Sequence, residues 1–130
     1  MSFPEDIESF VLAISGLEAT GMHRVRLPRN PTYPAISWRR FYTRTPTTHS
    51  GETTPDHEYT EFACCGHSEE DAEGLAEILR QAINGYRGTM GDGYCRAAFV
   101  RPIRADAEPD LGLYYRIVPC DIYYQEGDTS

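Results

Sequence analysis

Apolar side chains recur near the start of the chain at the spacing of one helical face: Phe3, Ile7, Phe10, Val11 and Ile14. Ser2 and Glu5 ahead of them form a capping box, Pro4 suits a first turn, and Gly16 supplies a stop. The pattern therefore predicts a short amphipathic helix. After Thr20-Gly21 it predicts a strand over 22–27, which Pro28-Arg29-Asn30-Pro31 ends by removing donors and fixing backbone angles. A second strand is expected over 35–42. There Ile36, Trp38, Arg40 and Tyr42 alternate with Ala35, Ser37, Arg39 and Phe41 on the other face. A third is expected over 58–65.

Between those two strands, residues 43–57 contain no large apolar side chain. Nothing in that stretch can bury itself, so it reads as a long polar, mobile loop, a kind of segment often devoted to function. Ser68 then opens the clearest element in the sequence. It is followed by Glu69, Glu70 and Asp71, which suit the positive end of a helix dipole. Ala72, Leu75, Ala76, Leu79, Ile83 and Tyr86 make one apolar stripe, Glu73, Glu77, Arg80, Gln81 and Asn84 face water, and Gly85 and Gly88 mark the end. Gly91-Asp92-Gly93 turns into a fourth strand over 94–103. Residues 104–112 read as an acidic loop, and the last strand covers 113–124, with Pro119 implying a bulge or an edge position. The order α-β-β-β-α-β-β predicts an α+β fold: a mostly antiparallel sheet of four to five strands with two helices packed on it.

Composition fits one such domain. The 130 residues fall within the roughly 100–200 of a single core, and 40% hydrophobic with 25% charged residues is ordinary for a folded chain. Charge changes the picture more. The net value is −8, and all twelve cations are Arg, with no Lys. Such a balance argues against general binding to a phosphate backbone. Residues 22–44 nevertheless hold six Arg and no acid, whereas 45–87 hold nine acids and two Arg. The chain is bipolar. The acidic N-terminus does not read as a signal peptide, and no apolar run reaches the roughly 18 residues of a membrane span.

Signatures of chemistry are scarce. Gly-x-Gly-x-x-Gly, Walker, Gly-x-Ser-x-Gly and His-Glu-x-x-His patterns are all missing. Cys64, Cys65, Cys95 and Cys120 include no Cys-x-x-Cys pair. A Cys64/Cys65/His67/Cys95 metal site can be drawn, but buried thiols in a reducing compartment are the plainer reading. Asp56-His57-Glu58 could work as an acid–base cluster, though nothing in a polar loop would hold its geometry. No cofactor is expected. Nine Tyr and one Trp on short strands suit either a stacking or ligand surface or a protein interface, and with net negative charge the interface is favoured.

Taken end to end, the chain resembles the tail-terminator (tail-completion) proteins of long-tailed bacteriophages and related tail-like particles. Four stretches carry the resemblance. They are the N-terminal helix leading to Val25-Arg26-Leu27-Pro28-Arg29, and Tyr33-Pro34-Ala35-Ile36 opening a strand that ends in a polar loop. They continue with the Ser68-x-x-Asp71-Ala72-x-x-Leu75-Ala76 helix closed by Gly85-Tyr86-Arg87-Gly88, and the final Asp121-Ile122-Tyr123-Tyr124. These motifs specify a fold more than a chemistry, and the family offers no catalytic residue to carry over.

The resemblance implies a virion protein that is not an enzyme, assembled in the host cytoplasm. It would form a ring, usually of six subunits, at the head-proximal end of the tail tube. There it would end tube growth and join the filled head, with DNA passing through the lumen without specific binding. Its partners would be itself, the tail-tube protein and a head-completion or neck protein, with no membrane. The basic and acidic blocks supply complementary faces for the heterologous contacts of a ring. Arg24, Arg26, Arg39, Arg40, Arg44, Glu70, Glu73 and Glu77 are the subunit-interface candidates. Thr47, His49, Glu52 and Asp56 are candidates for a partner-contacting loop. Two other readings stay open: a head-closure or neck connector, and a ligand-binding or enzymatic α+β domain using a Tyr-lined sheet with His57 or Asp121.

Overall fold

The computed structural model describes residues 3–14, 21–24, 35–44 and 55–125, with 21–24 described as backbone only. Its elements run α1 (Phe3–Leu12), β1 (Gly21–Arg24), β2 (Ala35–Arg44), β3 (Asp56–Gly66), α2 (Glu69–Ile83), β4 (Gly88–Met90), β5 (Gly93–Val100), β6 (Arg104–Glu108), a 3-10 turn (Pro109–Leu111) and β7 (Leu113–Gln125). The strands form one sheet in the order β1-β2-β3-β7-β5-β4, with β6 also alongside β7. Every pairing is antiparallel except β1 with β2. The α+β class holds, with seven strands among the described residues in place of four to five.

Both helices lie on the same face. Phe3, Ile7 and Val11 of α1 and Leu75, Ala76, Leu79 and Ile83 of α2 share a core with Trp38, Phe62, Val118, Ile122 and Tyr124 from the sheet. Phe3 stands edge-on to Trp38 and Tyr124, with centroids 6.3 and 5.1 Å away. Each fully buried aliphatic contributes about 1.5–3 kcal/mol. The Ser68 Oγ accepts from Asp71 N at 3.1 Å, so the expected helix start is the real one. At its other end α2 closes the margin of β5: Gly85 N donates to Ala98 O at 2.8 Å, and Asn84 Oδ1 accepts from Val100 N at 3.0 Å. An otherwise open strand edge is covered.

Three expectations need correction. First, strand structure enters the supposed loop from both ends: Thr43 pairs with Glu58 and Arg44 with His57. Second, the alternation in β2 breaks. A bulge between Arg40 and Tyr42 inserts one residue, so Phe41 and Tyr42 come to the same face while Arg40 and Thr43 share the other. Third, residues 104–108 form β6 where a loop was expected. The bulge or edge position expected at Pro119 is met on one side of it: Pro119 pairs in register with Glu61 of β3, while on its other side the three residues 101–103 stand opposite the two residues 118–119 between β5 and β6. The physical reason is local. Pro119 O accepts from Arg101 N at 2.8 Å. Its donor-less nitrogen therefore faces residues 101–103, where the ladder is interrupted between β5 and β6.

Arg40 and Thr43 meet Glu58, which is 1% exposed beneath them. The Arg40 Nε donates to Glu58 Oε1 at 2.9 Å, its Nη2 donates to Oε2, and the Thr43 hydroxyl donates to Oε1. A buried carboxylate is tolerated because its lone pairs are filled.

Candidate functional site

The sheet face turned away from the helices is where ring and charge chemistry converge. Period-two alternation places His57 and Tyr59 of β3 there, with Asp121 and Tyr123 of β7 and Phe99 of β5. The β2 bulge adds Phe41 and Tyr42. The rings then touch in sequence across four strands. Phe41 lies 5.7 Å from Tyr59, Tyr59 stacks on Tyr42 at 5.4 Å, and Tyr42 stands edge-on to His57 at 5.4 Å. His57 stacks on Tyr123 at 4.7 Å and 9°, and Tyr123 meets Phe99 at 6.4 Å. Phe41, Tyr42 and Phe99 keep 48, 41 and 54% of their surface exposed.

Asp121 organises the centre. Arg101 donates to it in a fork, Nε at 2.7 Å and Nη2 at 2.9 Å, and His57 Nε2 lies 2.7 Å from its Oδ1. Burial would raise the Asp121 carboxyl, yet the hydrogen bonds from Arg101 and His57 outweigh it and hold the group below the usual carboxylate range. Hydrogen bonding to Asp121 likewise pushes Arg101 further up. The same guanidinium lies 4.3 Å from the Tyr59 centroid. Glu61, next along β3, accepts from the Tyr59 hydroxyl at 2.8 Å and from Arg104 Nη2 at 3.0 Å. Burial and this bond raise the Tyr59 phenol. A shallow depression of about 150 Å³ lies beside Ser37, Arg39, Phe41 and Glu61. The result is a fixed, ring-rich surface with its charges cross-linked, suited to meeting another surface.

The anticipated residues scatter. Arg39 and Arg44 are exposed, and Arg39 lies 5.7 Å over the Phe41 ring of the open face. Arg40 points the other way and is committed to Glu58. Glu70 and Glu73 are exposed on α2, where Glu77 binds Arg80 and accepts from Gln81 at 3.1 Å. The bond from Arg80 holds the Glu77 carboxyl low. Asp56 is the first residue of β3, opposite Tyr124. Arg24 ends β1, and Arg26, Thr47, His49 and Glu52 lie outside the described residues.

Asp56, His57 and Glu58 do not converge. As consecutive strand residues they alternate faces, with His57 bound to Asp121 and Glu58 to Arg40. Cys64 and Cys65 alternate likewise, and among the described residues no three His, Cys, Asp or Glu side chains group as metal ligands. All four cysteines are free and buried. No helix among the described residues is long and apolar enough to cross a membrane. Sequence reasoning missed Arg101, Asp121 and His57 as one unit. The outward positions of β3 and β7 were a visible signal, but their pairing register was not.

No family model matches the chain, and no curated protein matches it. Among solved structures, the chain is similar to one from the virion of a native gene transfer agent (GTA) particle. The TM-score is 0.59 at 11% identity, covering 94% of this chain and 90% of that one. The two share a fold.

Proposed function

We propose that this chain is a non-enzymatic structural protein of a tailed virion. It forms a ring, hexameric on the resemblance described above, at the head-proximal end of the tail tube, ends tube polymerisation and provides the surface that joins the head. The observation that carries the reading is the fold shared, over 94% of its length, with a chain of a virion. A face of cross-linked rings and ion pairs supports assembly. Its partners on this reading are other copies of itself, the tail-tube protein and a neck protein, assembled in the host cytoplasm. DNA passes through the lumen, and a net charge of −8 favours passage over grip.

Electron microscopy of particles made without this chain tests the reading. Abnormally long tubes, or unjoined tails beside full, intact heads, are expected. Tails of normal length that join heads would overturn it, and heads that leak DNA would move the role to head closure.

A further inference from the structure

We propose that the open sheet face docks on the outer surface of α2 of a second copy of this chain, and that this head-to-tail contact, repeated, builds the ring. The inference rests on the ring reading above and names the two surfaces that meet.

The open face has the make-up of a binding surface. Tyr and Arg are the residue types that most often anchor interfaces, and here Tyr42, Phe99 and Arg39 are exposed along it. Ring contacts and the Arg101–Asp121 fork already order the surface, so docking would immobilise little that is free.

Its complement lies on the opposite layer of the same molecule. Glu69, Glu70, Asp71 and Glu73 are exposed on α2, and the helix's single cation, Arg80, is bound to Glu77. Arg39 and Arg44, the arginines of the sheet face that its own carboxylates among the described residues do not hold, and the carboxylates on the helix give the charge complementarity that selects this occupant.

A glycine supports the match independently of charge. Gly74 stands in the middle of α2, exposed, and a Cβ added there would meet nothing within 4 Å. Nothing in the described chain requires glycine at that point, although glycine weakens a helix interior. One turn to either side lie Glu70, Asp71, Glu77 and Ile78. Bare backbone rimmed by carboxylates is a seat for an aromatic ring flanked by arginines, which the open face presents.

Because the two surfaces are on opposite layers, each copy gives one and receives the other. Such a contact is heterologous, and it closes into a ring when the rotation between copies permits.

Two variants test it by sedimentation of the full chain. The first carries Tyr42→Ser with Arg44→Gln on the sheet face. The second carries Gly74→Trp, at an exposed position where an added Cβ meets nothing within 4 Å in the single copy. Circular dichroism confirms that each is folded. Each alone is expected to self-associate at least roughly 30-fold more weakly than wild type, the size of losing one anchor. A mixture retains one intact pair of surfaces and is expected to give one-to-one dimers and nothing larger.

Variants that assemble like wild type overturn the contact and leave the ring reading standing. A wild type that stays monomeric both alone and on tail tubes overturns both. Binding of single-stranded DNA that is lost in the face variant while assembly persists would assign the face to nucleic acid and overturn the contact.

Discussion

Asp6, in the first turn of α1, accepts a hydrogen bond from the hydroxyl of Tyr124, near the end of β7, inside the core and 118 positions away. Asp92 N donates to the same carboxylate at 3.1 Å, so one buried acid ties the N-terminal helix to the last strand and to the β4–β5 turn. Gly93 leaves the room this needs, since a Cβ there would stand 2.7 Å from Tyr124 Cζ. Replacing Tyr124 by Phe leaves the buried carboxylate one partner short. The expected loss is about 1–3 kcal/mol in denaturant unfolding, with little change in far-ultraviolet dichroism.

Two glycines should respond oppositely to alanine. Gly91 has φ +59°, and a Cβ there would lie 2.8 Å from the Cα of Asp6. Gly91→Ala should lose about 1–2 kcal/mol from the left-handed backbone alone, and more from the clash. Gly74→Ala, in an open helix interior, should gain about 0.5–1 kcal/mol. Thermal unfolding of the two variants, monomer against monomer, checks both signs.

Acid should weaken the fold partly through Asp121. Its carboxyl is held low in the folded chain, so the stability it adds is fully present above the unfolded value of about 3.9 and is lost as pH falls through the folded value. Unfolding midpoints of wild type and Asp121→Asn should therefore differ most near neutral pH and converge in strong acid. A constant gap at every pH would show that the charge of Asp121 contributes nothing.

The thiols should be inert in the native state. Burial pushes Cys64 and Cys120 far up and Cys95 to about 11, and it raises Cys65 as well. Alkylation at pH 8 should be slow in the folded chain and reach all four cysteines in urea. Fast native labelling of Cys64 or Cys120 would contradict the burial described.

Much of the fold can be read from the residues, and the exceptions have physical causes. The second helix is legible because Ala72, Leu75, Ala76, Leu79 and Ile83 repeat at its period behind a Ser68 cap. By contrast, β6 is invisible to hydrophobic pattern, since Arg-Ala-Asp-Ala-Glu is exposed throughout and is a strand only because β7 pairs with it. The reversal of Tyr42 depends on one inserted residue, which alternation cannot reveal. The open face is legible in part. Its tyrosines suggested an interface, but the Asp121 junction unites residues up to 64 positions apart through strand register. Arg40, chosen for its charge, turned inward because Glu58 waits there.

Cryo-electron microscopy of complete particles containing this chain tests the central claim most directly. The account predicts a closed ring of this sheet-and-two-helix fold between the tail tube and the neck, with DNA on the ring axis in filled particles. Density for the chain in the capsid shell or at the distal tip of the tail, with none at the tube–neck junction, would contradict it.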